Sequence, residues 1–124
     1  MRIAMLKALP AKWDIEGNWA IFEEQAIKHQ GEGIDVFITP ECFLDGYCVT
    51  EDNWSVERFA EVAQKISESI YVQLACNLAS QLKTHIVLGF TEILDNMFYN
   101  CALLIDRNGK ITGKYHKNHG LNAK

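Results

Sequence analysis

The sequence has no excess of basic residues and no long apolar segment. It contains 12 Lys and Arg against 16 Asp and Glu, which gives a formal net charge of −4 at pH 7. Because proteins that bind nucleic acid cluster Lys and Arg against the phosphates, we predict no nucleic-acid partner. No apolar run approaches the ~20 residues that a transmembrane helix needs. We therefore predict no membrane partner either.

Paired-cysteine motifs are also missing, since no Cys-x-x-Cys occurs among the four cysteines. The N-terminal apolar stretch is short and is interrupted by Lys7 and Pro10. This pattern is typical of a first strand and not of a signal peptide. We expect a cytoplasmic protein whose thiols are reduced. These thiols are Cys42, Cys48, Cys76 and Cys101.

The sequence contains neither metal ligands nor dinucleotide-binding glycines at the spacing that such sites require. His116 and His119 would supply half of a metal site, but the other two histidines fall in distant segments and no carboxylate follows at ligand spacing. Gly31 and Gly33 precede a predicted strand, whereas the dinucleotide-binding fingerprint needs its glycines after one. We therefore expect no metal and no cofactor.

The first part of the chain alternates strand-like and helix-like segments. Residues 2–8 and 34–39 are mainly apolar runs that predict strands. Between them, apolar residues at helical spacing predict a helix capped by Asp14 or Asn18. Residues 41–53 predict a loop. The apolar side of the helix consists of Ile15, Trp19, Phe22 and Ala26.

The second part continues the alternation and closes with a hairpin. Ser55 is a candidate N-cap for helical spacing that runs to Leu82, with a break near Ser69. Asn108-Gly109 favours a tight turn between the last two strands. We expect an α/β protein: a mixed sheet with helices on one face, parallel crossovers early and an antiparallel hairpin late. The predicted strands are residues 85–90, 98–105 and 111–115.

Two charged residues are the best candidates for chemistry. Glu41 stands at the carboxyl end of a buried strand, where a carboxylate is costly without a partner or a role. Lys117, near the end of the chain, has the right sign to be that partner. Without further context, Glu41 would be interpreted as a loop cap and Lys117 as a solvated lysine.

The order of several motifs resembles the nitrilase, or carbon–nitrogen hydrolase, superfamily. The two most specific segments are Pro-Glu-x-x-x-x-Gly-Tyr and Lys-Tyr-x-Lys-x-His, with a Tyr-Asn strand between them. The similarity runs the whole length of the chain. Its segments are Arg2-Ile3-Ala4, Asp14-x-x-x-Asn18, residues 37–47, Gly89-Phe90-Thr91-Glu92, residues 99–102, residues 106–110 and residues 113–119.

The resemblance implies a fold and a catalytic set. The fold is a four-layer αββα sandwich, of which residues 1–124 would form the N-terminal half as a single, incomplete domain. In the Glu-Lys-Cys set, Glu41 matches the general base and Lys117 matches the cation that stabilises the tetrahedral intermediate. Glu92 resembles an acidic residue that supports the site. The family's attacking cysteine belongs to a later segment, which this sequence lacks.

Two positions depart from the family pattern, and none of the four cysteines is a good candidate to replace the nucleophile. His116 stands where an arginine is usual, and Gly120 where leucine or proline is usual. Successive strand residues point to opposite faces, so the Cys42 thiol should point away from Glu41 if the strand persists. Cys76 and Cys101 fit small buried hydrophobic positions.

The function that the resemblance implies is hydrolysis of non-peptide C–N bonds. The partner of the full-length form would be a small-molecule amide, nitrile or carbamoyl substrate, and we expect a homo-oligomer. The 124 residues alone should be inactive, because the nucleophile that forms the covalent intermediate is missing. The alternative is a non-catalytic truncated remnant or assembly module of the same fold, with one apolar sheet face left uncovered.

Overall fold

A computed structural model describes residues 1–117, which form one five-stranded sheet with three α-helices. The sheet order is β1-β2-β3-β4-β5; the first three strands are parallel, and β4 and β5 add antiparallel. The predicted mixed α/β sheet is therefore confirmed. The elements are β1 (Ile3–Met5), α1 (Ile15–Lys28), β2 (Val36–Ile38), α2 (Val56–Val62), α3 (Ile70–Leu82), β3 (His85–Leu94), β4 (Met97–Ile105) and β5 (Ile111–His116).

Strand β3 is longer than the sequence predicts, because it forms a hairpin with β4. The two strands pair from Ile86 with Ile105 to Leu94 with Met97. Asp95 and Asn96 connect them, both with positive φ (51° and 64°), as the two central residues of a type I′ turn require. The prediction that β3 ends at residue 90 is wrong, because pairing with β4 holds residues 91–94 extended.

Helix α1 begins where Asp14 caps it. The Asp14 carboxylate accepts a hydrogen bond from the Gly17 amide at 3.0 Å. Three residues of its apolar side, Trp19, Phe22 and Ala26, are buried against the sheet and α3. Asn18, the other capping candidate, is fully buried and binds backbone groups outside the helix instead.

The break between α2 and α3 is wider than the one predicted near Ser69. Helix α2 ends at Val62, and Ser69 caps α3 by accepting a hydrogen bond from the Val72 amide at 3.2 Å. Between them the chain lies beside β3, where Gln64 donates to the Thr91 carbonyl and accepts from the Ile93 amide. These bridging hydrogen bonds replace the helix that the apolar spacing favours.

The two faces of the sheet have different environments. Helices α1 and α3 pack on one face and bury the side chains of Ile86, Leu88, Phe90, Leu103 and Ile105. On the opposite face, Met5 is 70% exposed and Tyr115 is 61% exposed. Within residues 1–117, no helix has the length and apolar character needed to cross a bilayer.

Candidate active site

The loop that carries Glu41 crosses β3 at Gly89. A Cβ atom at Gly89 would collide with the Pro40 carbonyl oxygen, so only glycine lets the loop approach this closely. The Gly89 amide donates to the Thr39 hydroxyl at 2.8 Å, and its carbonyl accepts from the Leu44 amide at 3.3 Å. Strand β3 therefore fixes the backbone on both sides of Glu41.

Asn18 of α1 holds the far side of the same loop. Its side-chain amide donates to the carbonyls of Ala11 and Leu44 at 2.8 and 2.9 Å, and its oxygen accepts from the Ala11 amide at 2.8 Å. Gly46, with φ of 74°, packs so closely on the Ala11 carbonyl that no side chain fits there. The loop after β2 is thus a rigid part of the fold, which favours precise placement of a reacting group.

Glu41 and Lys117, far apart in the sequence, meet at the end of the sheet. The Lys117 Nζ lies 3.8 Å from the Glu41 Oε2. The Lys117 amide donates to the Asn100 carbonyl at 3.0 Å, so the β4–β5 ladder extends to this residue and positions it. Both side chains are half exposed, and such an ion pair contributes little to stability.

A cleft of about 210 Å³ lies beside this pair. Asn100 lines it, is 5% exposed and has a side-chain Nδ2 with no hydrogen-bond partner among residues 1–117. A buried donor without a partner is unusual in a folded protein and is a candidate for binding a ligand. Asn100 belongs to the Tyr-Asn motif, but the sequence alone does not indicate that its side-chain amide is buried without a partner. The other lining residues include Ile38, Val87, Ala102 and Tyr115.

Tyr47 adds a hydroxyl group to the Glu41 side of the site. Burial raises the pKa of the Tyr47 phenol above its ordinary value, and the negative charge of Glu41 acts in the same direction. The phenol therefore stays protonated at neutral pH and is available as a donor to the Glu41 carboxylate.

The four cysteines are free thiols, and none is activated as a nucleophile. The expectation that the Cys42 thiol points away from Glu41 required a strand through Cys42, but β2 ends at Ile38 and Cys42 has φ of 47°. Burial raises the pKa of Cys42 to about 12, with the charge of Asp45 acting in the same direction. Burial likewise raises the pKa values of Cys48, Cys76 and Cys101. Thiols of this kind are inert at neutral pH.

Glu92 lies on the helix-covered side of the sheet, not with the Glu41–Lys117 pair. Its buried carboxylate binds the His116 Nε2 at 2.5 Å and the Lys114 Nζ at 3.2 Å. His116 and Lys117 are neighbours in an extended strand, so their side chains point to opposite faces. Glu92 thus anchors the strand that presents Lys117, which is compatible with the predicted supporting role. His119 and Gly120 lie outside the described residues.

Comparisons with known proteins find relatives of this chain in one family. The carbon-nitrogen hydrolase family profile matches residues 2–122. The chain is 30% identical to an omega-amidase of Saccharomyces cerevisiae over 103 residues, covering 81% of this chain and 34% of that protein. It is 28% identical to a nitrilase of Pyrococcus abyssi over 120 residues, covering 96% and 44%.

A solved structure shares the fold. An amidase variant from Nesterenkonia sp. AN1, which shows acrylamide added at its active-site cysteine, superimposes with a TM-score of 0.74 at 19% identity. The match covers 96% of this chain and 44% of that one. The chain spans less than half the length of these relatives. Since the family profile covers nearly every residue, the chain belongs to the carbon-nitrogen hydrolase family.

Proposed function

We propose that this chain supplies the base and the cation of an enzyme that hydrolyses non-peptide C–N bonds in small amides, nitriles or carbamoyl compounds. The observation that carries the proposal is the approach of Lys117 to Glu41, at 3.8 Å beside a cleft. A rigid loop holds one of these groups and the end of a strand holds the other.

For an amide, the proposed reaction begins when Glu41 takes the proton of an attacking thiol. The sulfur bonds to the carbonyl carbon, and the Lys117 ammonium stabilises the developing oxyanion. The C–N bond then breaks, and Glu41 returns the proton to the departing ammonia or amine. Water attacks the resulting thioester with Glu41 again as base, which releases the acid and restores the thiol.

The nucleophile in this proposal comes from outside the matched part of the family domain. The buried thiols of this chain have raised pKa values, and the Nesterenkonia amidase has an active-site cysteine. We propose that residues 1–124 form the first part of one such domain, of which the relatives contain more than twice this length. Completing the domain would also shield Glu41 and Lys117 from water and strengthen their interactions with the reacting atoms.

Asn100 extends the proposed machinery. Its side-chain amide has an unused donor, Nδ2, and the residue lines the same cleft as Lys117. A neutral amide donor beside a lysine ammonium is a suitable pair for binding the oxygen of a substrate carbonyl before and during the attack.

The test extends the reading frame into the DNA that follows the Lys124 codon and measures ammonia release from small amides. We expect no release by the 124-residue chain and measurable release by a product that includes a cysteine segment. Glu41→Gln and Lys117→Met should lower that release about 10²–10⁴-fold. Glu32→Gln, at an exposed carboxylate paired with His29, is the matched control and should change nothing.

Two results would contradict the proposal: ammonia release by the 124-residue chain alone, or undiminished release by the extended Glu41→Gln protein. A reading frame without any cysteine segment would favour the second candidate function, an assembly module.

The observation behind the assembly module is the exposed apolar face, on which Ile3, Met5 and Tyr115 are each more than half exposed. Under either function we propose a homo-oligomer. Gel filtration with a hydrophobic dye tests the exposed apolar face on which the module rests: a monomer that binds no dye argues against it.

A further inference from the structure

Three side chains with metal-binding atoms meet on neighbouring strands, away from the Glu41–Lys117 pair. They are Glu92 of β3, Cys101 of β4 and His116 of β5. Cys101 pairs directly with His116 across β4 and β5, and Glu92 lies two residues beyond Phe90, the partner of Cys101 on β3. One ligand atom from each of the three residues lies within 4.8 Å of the other two.

We propose that Glu92, Cys101 and His116 bind a zinc ion through one carboxylate oxygen, the sulfur and the imidazole Nε2. These are the three donor types that Zn²⁺ takes in proteins, at about 2.0–2.3 Å in tetrahedral geometry. Three donors leave the fourth position to a water molecule. Three adjacent strands of a paired sheet form a rigid support, so the ligand atoms need only small rotamer changes to surround the ion.

The groups around the three donors are arranged as supports for metal ligands. Lys114 Nζ binds Glu92 at Oε2, which leaves Oε1 for the ion. The Tyr99 ring stacks on His116 with centroids 4.4 Å apart and planes 6° apart, which fixes the orientation of the imidazole. Outer partners of this kind orient metal ligands and tune their affinity.

Charge and access also suit a dication. Glu92 and Cys101 are buried, whereas the His116 side chain is 26% exposed and leaves a path from solvent. A carboxylate and a thiolate together neutralise Zn²⁺ in this shielded place. Burial raises the pKa of Cys101 to about 12, so the ion has to displace the thiol proton when it binds. Without the ion, His116 and Lys114 satisfy the Glu92 carboxylate.

The sequence predicts no metal site, because the other histidines are distant from His116 and His119 and no carboxylate stands at ligand spacing nearby. The register of β3, β4 and β5 brings the Glu92 carboxylate and the Cys101 thiol to His116 through space. The inference is independent of the proposed function, because Lys117 points to the other face of the sheet and no step of the hydrolysis uses this site.

The experiment titrates the metal-free 124-residue protein with Zn²⁺ by calorimetry and with Co²⁺ by absorption spectroscopy. We expect one equivalent of either ion and a thiolate-to-cobalt charge-transfer band. Cys101→Ser should remove that band, and both Cys101→Ser and His116→Arg should weaken zinc binding at least about tenfold. His116→Arg removes the imidazole ligand but supplies a cation that can still bind the Glu92 carboxylate, so it tests the metal ligand without leaving Glu92 unpaired.

Matched controls remove the same residue types elsewhere. Cys76→Ser changes a half-buried thiol on α3, and His29→Gln changes an exposed histidine that also contacts a glutamate. Both should bind zinc as the parent does. Zinc should also raise the unfolding temperature of the parent and both controls, because it binds the folded chain, and should raise that of Cys101→Ser and His116→Arg by clearly less.

Three outcomes would overturn the zinc site. They are less than one tenth of an equivalent bound at stoichiometric zinc, a cobalt complex without the thiolate band, and parent-like affinity in either Cys101→Ser or His116→Arg. In those cases Glu92 serves only to bind Lys114 and His116 and holds no metal ion.

Discussion

The carbonyl oxygen of Pro40 occupies the place that a Cβ atom at Gly89 would need. This close approach lets the backbone after β2 cross β3 and carry Glu41 to the cleft. A glycine in the middle of a strand weakens the strand. The close packing of the loop explains why glycine nevertheless occupies this position.

We predict that Gly89→Ala lowers the free energy of unfolding by about 1–3 kcal/mol, because the added methyl group overpacks the Pro40 backbone. Gly113→Ala on β5 is the matched control. Its new Cβ would lie 3.6 Å from the Leu104 Cβ, which is ordinary contact. Urea unfolding followed by circular dichroism measures both. Equal stability of the two variants would contradict the prediction, because it would show that the loop moves away from the added methyl group at little cost.

The sequence was sufficient for the fold class and for most of the strands. Short apolar runs separated by an amphipathic helix indicate parallel crossovers, and Asn108-Gly109 indicates the last turn. The lengths of β3 and α2 could not be predicted, because they depend on hydrogen bonds to segments that are distant along the chain. Antiparallel pairing extends β3, and the Gln64 bridge to β3 interrupts the apolar spacing after Val62.

The candidate site was only partly visible in the sequence. The motifs that resemble the family point to Glu41 and Lys117, but not to the distance between them. Asn100 and the cluster around Glu92 became apparent only from burial and strand register. Neither quantity follows from spacing along one chain, since each depends on which strands lie side by side.

Asp45 gives a pH-dependent prediction for the same loop. Burial raises the pKa of this carboxyl above its ordinary value of 3.8 in the folded protein. Above pH 3.8 the unfolded chain therefore releases a proton that the folded chain still holds, and the free energy of unfolding falls as pH rises. The loss continues until the pH passes the raised pKa.

Asp45→Asn removes this titration and keeps the side-chain oxygen that accepts from the Cys48 amide. We predict that the parent loses stability relative to Asp45→Asn as pH rises from about 4 towards neutrality, since only the parent contains the titrating group. Urea unfolding at a series of pH values measures the difference, in which other titrating groups cancel. A difference that stays constant or changes in the parent's favour would contradict the prediction.

For Asn100 we predict a change in activity with little change in stability. In the extended, active protein, Asn100→Ala should lower kcat by about 10²-fold, the usual effect of losing one oxyanion donor. Its Nδ2 has no partner among residues 1–117, so the free energy of unfolding should change by less than about 1 kcal/mol. Tyr115→Phe alters a residue that lines the same cleft and is the control. A large loss of stability with unchanged kcat would assign Asn100 a structural role.

The two glutamates with cationic partners should differ in how much stability the protein loses when their charge is removed. Glu41→Gln removes a half-exposed partner of Lys117, so the free energy of unfolding should change by less than about 1 kcal/mol. Glu92→Gln removes a buried carboxylate, which takes the counter-charge from Lys114 and one carboxylate hydrogen-bond partner from His116. Breaking a fully buried pair costs about 3–5 kcal/mol. Because Lys114 is partly exposed and regains water, we expect about 2–3 kcal/mol here.

Urea unfolding of the 124-residue protein and its two variants at neutral pH measures these costs without any need for activity. A large cost for Glu41→Gln would mean that the pair with Lys117 serves folding, which would remove the main reason for assigning it to chemistry. A negligible cost for Glu92→Gln would mean that this carboxylate does not anchor β5. The contrast between the variants therefore tests which glutamate stabilises the sheet and which one is placed for catalysis.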